Sequence, residues 1–194
     1  MIHEIRERFN NEFTETAYQA VKDELAGRDR HKIGFRIAET PIFLNADFKN
    51  KLIDAGNQIV NIILKSNFKE ITRQSIPEKW HVENENDHPH FLTFDFAVCK
   101  DQNGNLVPKL IELQGFPSLY GFQAVLGACF SKHFSSASHL QPFFNDLSKE
   151  EYFELLRKTV IGNCNIEEVI LLDIDAHNQK TSIDFYYTAH HLGI

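Results

Sequence analysis

Asp95, Glu112 and Gln114 are the residues whose types and spacing suggest chemistry: two carboxylates and an amide oxygen from two runs of β-forming residues, 91–100 and 107–114. Between the runs lies Asp101-Gln-Asn-Gly-Asn105, and Asn103-Gly104 is the strongest short signal for a hairpin turn. With those two residues at the turn, loop length sets the register, so that Asp95 faces Glu112 and Thr93 faces Gln114. Side-chain alternation then puts these four on one face and leaves Phe94, Phe96, Ile111 and Leu113 for a core-facing side.

Two carboxylates set directly opposite each other repel by about 0.2–1 kcal/mol. A hard divalent cation, Mg²⁺ above all, would offset the repulsion, because it takes oxygen ligands from one or two carboxylates and completes its shell with water and phosphate. Gln114 would add a neutral oxygen. Solvation, or pairing with Lys100 or Lys109, is an alternative, and one proton shared between the carboxylates is another.

The elements that must position this site can be read along a chain of 194 residues, 42% hydrophobic, with formal charge -7. That charge offers no general attraction to nucleic acid or to an anionic membrane. No stretch approaches the roughly 20 apolar residues of a membrane span. Cys99, Cys129 and Cys164 are widely spaced and form no CxxC pair, which fits buried thiols in a reducing compartment, so the expected location is the cytoplasm. Seventeen Phe against one Trp and one Met are core-filling residues that by themselves name no function.

Ile5, Phe9, Phe13, Ala17, Val21 and Leu25 recur at i,i+4 steps and stop at Gly27, predicting one amphipathic helix. A basic loop (Arg28, Arg30, His31, Lys32) follows. Asn45 is placed to cap a second helix with the stripe Phe48, Leu52, Ala55, Ile59, Ile62 and Ile63. Residues 67–90 read as a polar loop. After the hairpin, Pro117-Ser118 opens a helix with Leu119, Phe122, Leu126, Cys129 and Phe130 on one side and Ser118 as N-cap. Ser148 and Glu151 form a capping box for a helix carrying Tyr152, Leu155, Leu156 and Val160. Val169–Asp175 reads as a continuous apolar strand and 181–192 as the helix after it, a βα unit of the kind found in parallel sheets. The division expected is a helical segment 1–76 and a hairpin-plus-βα portion 77–194.

The sequence Phe94-Asp95-Phe96, the hairpin, Pro108-Lys-Leu-Ile-Glu112-Leu-Gln114 and then Pro117-Ser118-Leu119 resembles glutathionylspermidine synthases and related ATP-grasp carboxylate–amine ligases of the glutathione synthetase type. The resemblance covers residues 77–126. It implies an α/β fold: N-terminal helices, an antiparallel hairpin and a partial Rossmann-like, pre-ATP-grasp βα unit, together an incomplete ATP-grasp-like fold. It also implies Mg²⁺ and ATP as cofactors, with Asp95, Glu112 and Gln114 as metal ligands and Thr93 and Ser118 beside the nucleotide. The partners would be ATP and a small carboxylate or amine substrate.

Three departures accompany it. Thr93 stands where the family has an arginine that helps neutralise the transferring phosphoryl group. Gln114 stands for Asn, and Gly115-Phe116 replaces a longer segment that contains an acidic residue. The expectation is the N-terminal and metal-binding part of a C–N bond-forming ligase, truncated in mid-fold, inactive alone and able to self-associate through an exposed sheet edge. The competing expectation is a non-catalytic ligand-binding or interaction module that keeps the fold.

Other candidates are weaker. His88-Pro89-His90 beside Asp87 lacks further ligands at zinc spacing. His190-His191 suits a helix C-terminus as cations. Asp173 and Asp175 sit at a predicted strand end, where α/β sheets bind ligands and where turns form equally often. No GxSxG, GxxxxGK[ST] or GxGxxG sequence is present.

Overall fold

The fold, seen in a computed structural model, is described for residues 2–27, 31–86, 88–116, 118–176 and 178–194. Arg28, Arg30, Asp87 and Pro117 from the sequence reading lie outside the described residues. Among the described residues, seven α-helices and one two-stranded antiparallel sheet make a mixed α/β fold. It forms two compact units, one from residues 1–43 with 118–194 and the other from 44–117. The expected division at 76 and 77 falls inside the second unit.

In the first unit, the predicted single N-terminal helix is two: α1 (His3–Glu12) and α2 (Glu15–Ala26). A strict i,i+4 stripe drifts by about 40° per step on a 3.6-residue helix, so a straight helix would turn Leu25 roughly 200° away from Ile5. The break at Phe13-Thr14 removes that drift. Thr14 is extended (φ -134°, ψ 148°), and its hydroxyl accepts the Ala17 N–H at 3.1 Å to start α2. Ile5, Phe9, Val21 and Leu25 are then all buried.

The remaining helices of this unit are α5 (Tyr120–His133), α6 (Lys149–Ile161) and α7 (Ser182–Leu192). α5 lies at the centre, packed on α2, α6 and α7. The capping box of Ser148 and Glu151 starts α6 as expected, although its buried residues are Phe153, Leu156 and Ile161, while Leu155 is exposed. α7 ends at Gly193 in the left-handed region (φ 75°), the expected stop.

Residues 169–175 form no strand. A strand is stable only when a neighbour satisfies its N–H and C=O groups, and none of the described residues pairs with this run. Ile170, Leu172 and Ile174 are 80%, 83% and 105% exposed, so the apolar run is unburied and the expected Rossmann-like βα unit, with its exposed sheet edge, is not formed. Asp175 instead organises a turn: its carbonyl accepts the Asn178 and Gln179 N–H groups and its carboxylate accepts the Asn178 side-chain amide.

The second unit contains α3 (Ala46–Ile63), α4 (Phe68–Arg73), a 3₁₀ turn at Glu78–Trp80, and the hairpin strands β1 (Thr93–Lys100) and β2 (Leu106–Gln114). Asn45 caps α3 as expected, accepting the Phe48 N–H at 2.8 Å. Only Phe48 of the predicted stripe is buried, because the unit supplies one layer, the hairpin, for an 18-residue helix to cover. The stretch read as a loop thus holds α4. No helix among the described residues is long and apolar enough to cross a membrane.

Candidate metal-binding hairpin

Asp95 pairs with Glu112, and Thr93 with Gln114, as predicted, but by a different route. The turn is a five-residue loop, Asp101–Asn105, not a two-residue one, so from Lys100↔Leu106 to Phe96↔Leu110 every pair is shifted by one from the expected register. A β-bulge at Ile111 absorbs one residue and restores the expected register from Asp95↔Glu112 onward. Two deviations cancel where the site lies.

The loop is built by Asp101. Its carboxylate accepts the Asn103 and Asn105 N–H groups at 2.9 and 2.8 Å and the Asn105 side-chain amide at 3.1 Å. Those bonds from Asn105 hold its carboxyl below the ordinary aspartate range. Gly104 adopts φ +82°, which a Cβ disfavours. Gly104→Ala is expected to destabilise the hairpin by about 1 kcal/mol, and Gly104→Asn by less. Urea melts followed by the fluorescence of Trp80, the single tryptophan, should report the difference.

The bulge also changes the faces. Phe94 and Phe96 stack on each other with ring centroids 6.2 Å apart, and the Phe94 ring lies over Gly56 of α3, so this is the core side. Ile111, expected there, is the bulged residue and is 68% exposed. Beyond the bulge the shifted register brings Lys109 opposite Ala97, on the face that carries Asp95. Lys51 of α3 donates to the Leu106 carbonyl at 2.8 Å and ties the helix to the strand that carries Glu112.

Neither Asp95 nor Glu112 makes an ion pair among the described residues, so the pairing with Lys100 or Lys109 is not formed. Gln114 donates its amide N–H to Glu112. Two carboxylates and one amide suit the oxygen shell of Mg²⁺ when water or phosphate supplies the rest, and a cation would reverse the amide so that its oxygen joins the carboxylates. Among the described residues no three of His, Cys, Asp and Glu gather into a metal cluster. The His88 and His90 rings lie 6.3 Å apart, and no third ligand joins them among the described residues.

Ser118 does not cap α5. The N-cap is Leu119, itself left-handed (φ 61°, ψ 16°), and the Phe122 N–H is accepted by Asp184 of α7 at 2.8 Å. The anion at this helix N-terminus is therefore the protein's own carboxylate. Burial raises the Asp184 carboxyl, opposed by hydrogen bonds from the Phe122, Leu119 and Gly121 amides. No local pattern marks Asp184, because its partners are about 60 residues away in the chain.

Two other carboxylates act as ties. Glu12, at the end of α1, accepts the Ser135 and Ser136 N–H groups; burial would raise its carboxyl, but these bonds outweigh it and hold it at about 2. Glu24 of α2 accepts Lys132 Nζ at 2.9 Å and lies 2.7 Å from His133 Nε2. Cys129 lies beside that pair, and burial, and then the Glu24 charge, push its thiol up to about 12, the opposite direction from a thiol activated as a nucleophile. His191 stacks on Phe153 at 3.8 Å, and burial lowers its pKa, so it favours the neutral form rather than the cation suited to a helix end.

No family model, no curated protein and no solved structure matches this chain.

Proposed function

We propose that the hairpin holds a hard divalent cation, Mg²⁺, against nucleotide phosphates, and that the chain carries the N-terminal and metal-binding part of an ATP-dependent carboxylate–amine ligase of the ATP-grasp type. The observation that carries this reading is Asp95 directly opposite Glu112 on a face where neither has an ion-pair partner among the described residues and Gln114 stands next to Glu112. When bound, the cation neutralises the charge that collects on phosphate oxygens as a carboxylate attacks ATP. Asp95 and Glu112 would hold it from two strands, and the bond network of Asp101 keeps those strands in register. Lys109, placed on the same face by the bulge, supplies positive charge that Thr93 does not.

A second reading, a non-catalytic ligand-binding or interaction module, is favoured by Thr93 and by the unpaired run 169–175. Titration of this chain with Mn²⁺ by electron paramagnetic resonance, with and without ATP, tests the first. Asp95→Asn or Glu112→Gln is expected to weaken cation binding by about tenfold, the loss of one charged ligand, without lowering the Trp80 unfolding midpoint measured in the absence of metal. Equal Mn²⁺ affinity in wild type and both variants would remove the metal assignment.

A further inference from the structure

The first unit contains a concave site that lies outside the hairpin. Its volume is about 490 Å³, within the roughly 300–1,000 Å³ typical of small-molecule sites. Phe35, Phe43, Phe122 and Phe130 form much of its wall, with Leu119 and Pro142. Phe35 meets Phe122 edge-on at 5.3 Å, an arrangement that presents ring faces and edges to an occupant.

Two further observations bear on what would fill it. Leu119 lines the cleft at φ 61°, a conformation rare for a residue with a Cβ and costly for leucine. Such strain persists where surrounding structure enforces it, and it concentrates at ligand sites. Here the helix that follows is capped from outside, its Phe122 N–H accepted by the Asp184 carboxylate at 2.8 Å. The second observation is charge. Among the described residues Arg36 is the single charged one in the lining, and its guanidinium is paired with Glu39 at 2.7 Å, so these residues offer no unpaired charge to an ionic ligand. Neutral polar side chains in the lining are those of Thr40, Gln123, Ser131 and Gln141.

We infer that this cleft binds an uncharged, ring-bearing small molecule, with its apolar body against the phenylalanines and a neutral polar edge toward the glutamines and Ser131. Leu119 is a positioning residue held against the ligand by the cap on α5.

The test uses the whole chain and the uncharged fluorophore N-phenyl-1-naphthylamine, with anionic 1-anilinonaphthalene-8-sulfonate as comparison. A saturable one-to-one enhancement with the uncharged probe, and weaker binding of the anion, is expected. Ser131→Trp, which fills the cleft from α5, should weaken binding by about tenfold or more. Leu119→Gly removes both the strain and the wall contact, so it should bind more weakly while melting at or above the wild-type temperature. Non-saturable enhancement, tighter binding of the anion, or unchanged affinity in Leu119→Gly and in a Ser131→Trp protein that still melts cooperatively would overturn the inference. Neither residue belongs to the hairpin, so loss of Mn²⁺ binding leaves this result independent.

Discussion

Asp184→Ala is expected to destabilise the first unit by about 3 kcal/mol, while Asp184→Asn should cost less than half as much at pH 7. The reason lies at the start of α5. Its first amides have no partner within the helix, and neither Ser118 nor Leu119 supplies a side-chain cap. Asp184 accepts the Phe122 N–H at 2.8 Å from α7, in a partly buried position that water does not readily replace. Close approach of α7 is also required: a Cβ on Gly121 would lie 2.8 Å from Thr188 Oγ1 and 2.9 Å from Thr188 N, so no larger residue fits there. Alanine at 184 leaves buried N–H groups unsatisfied, whereas asparagine keeps one acceptor.

The pH dependence has a definite sign. Burial is the leading cause of the shift at Asp184 and raises its pKa. A raised folded-state pKa gives stability that is fully present below the unfolded value, about 4, and is lost as pH rises through the folded one. Relative to Asp184→Asn, the wild type should therefore be most stable in acid and lose that advantage toward neutrality. Thermal melts of both proteins between pH 4 and 7 would measure it, and an advantage that grew with pH would show that hydrogen bonding, not burial, governs this carboxylate.

Residues that act through local chemistry are legible in this sequence. Asn45, the Ser148–Glu151 box and the stop at Gly193 each depend on a few neighbouring positions, and each has the expected role. The Asp95–Glu112 pairing was also legible, but through compensation: the longer Asp101–Asn105 loop and the bulge at Ile111 shift the register in opposite senses. Turn chemistry could not reveal the bulge, because the extra residue is an ordinary apolar side chain. The failures are tertiary. Val169–Asp175 has the composition of a buried strand, yet a strand is defined by its partner, and the periodicity of one segment contains no information about whether a neighbour exists. Ser118 looked like a cap because it precedes an apolar run, and it lost that role to a carboxylate from another helix. Family resemblance at 77–126 names roles for the hairpin and is silent about the cleft in the other unit.

Phe9→Ala is expected to be the most damaging single change, at about 4 kcal/mol, with Phe9→Leu costing roughly a third of that. Phe9 is fully buried. Its ring centroid lies 4.5 Å from that of Phe134, 5.6 Å from Phe43, and 6.3 and 6.4 Å from Phe130 and Phe13. Those partners are the residue that ends α1, the chain just after residue 42, and the C-terminal end of α5 with the residue that follows it, so one ring joins the first and last stretches of a discontinuous unit. Truncation removes the aromatic contacts and leaves a void that four other rings cannot close without leaving their own packing. Against a typical net stability of about 5–15 kcal/mol, that loss is a large fraction of the total. The chain supplies its own probes for the measurement. All five tyrosines, at 18, 120, 152, 186 and 187, belong to the first unit, and Trp80 belongs to the second. Urea titration of Phe9→Ala should move the tyrosine and far-ultraviolet transitions to lower denaturant. An unmoved tyrosine midpoint would mean that the first unit does not depend on this aromatic cluster, while the Trp80 transition shows directly whether the hairpin unit unfolds with it or keeps its own midpoint.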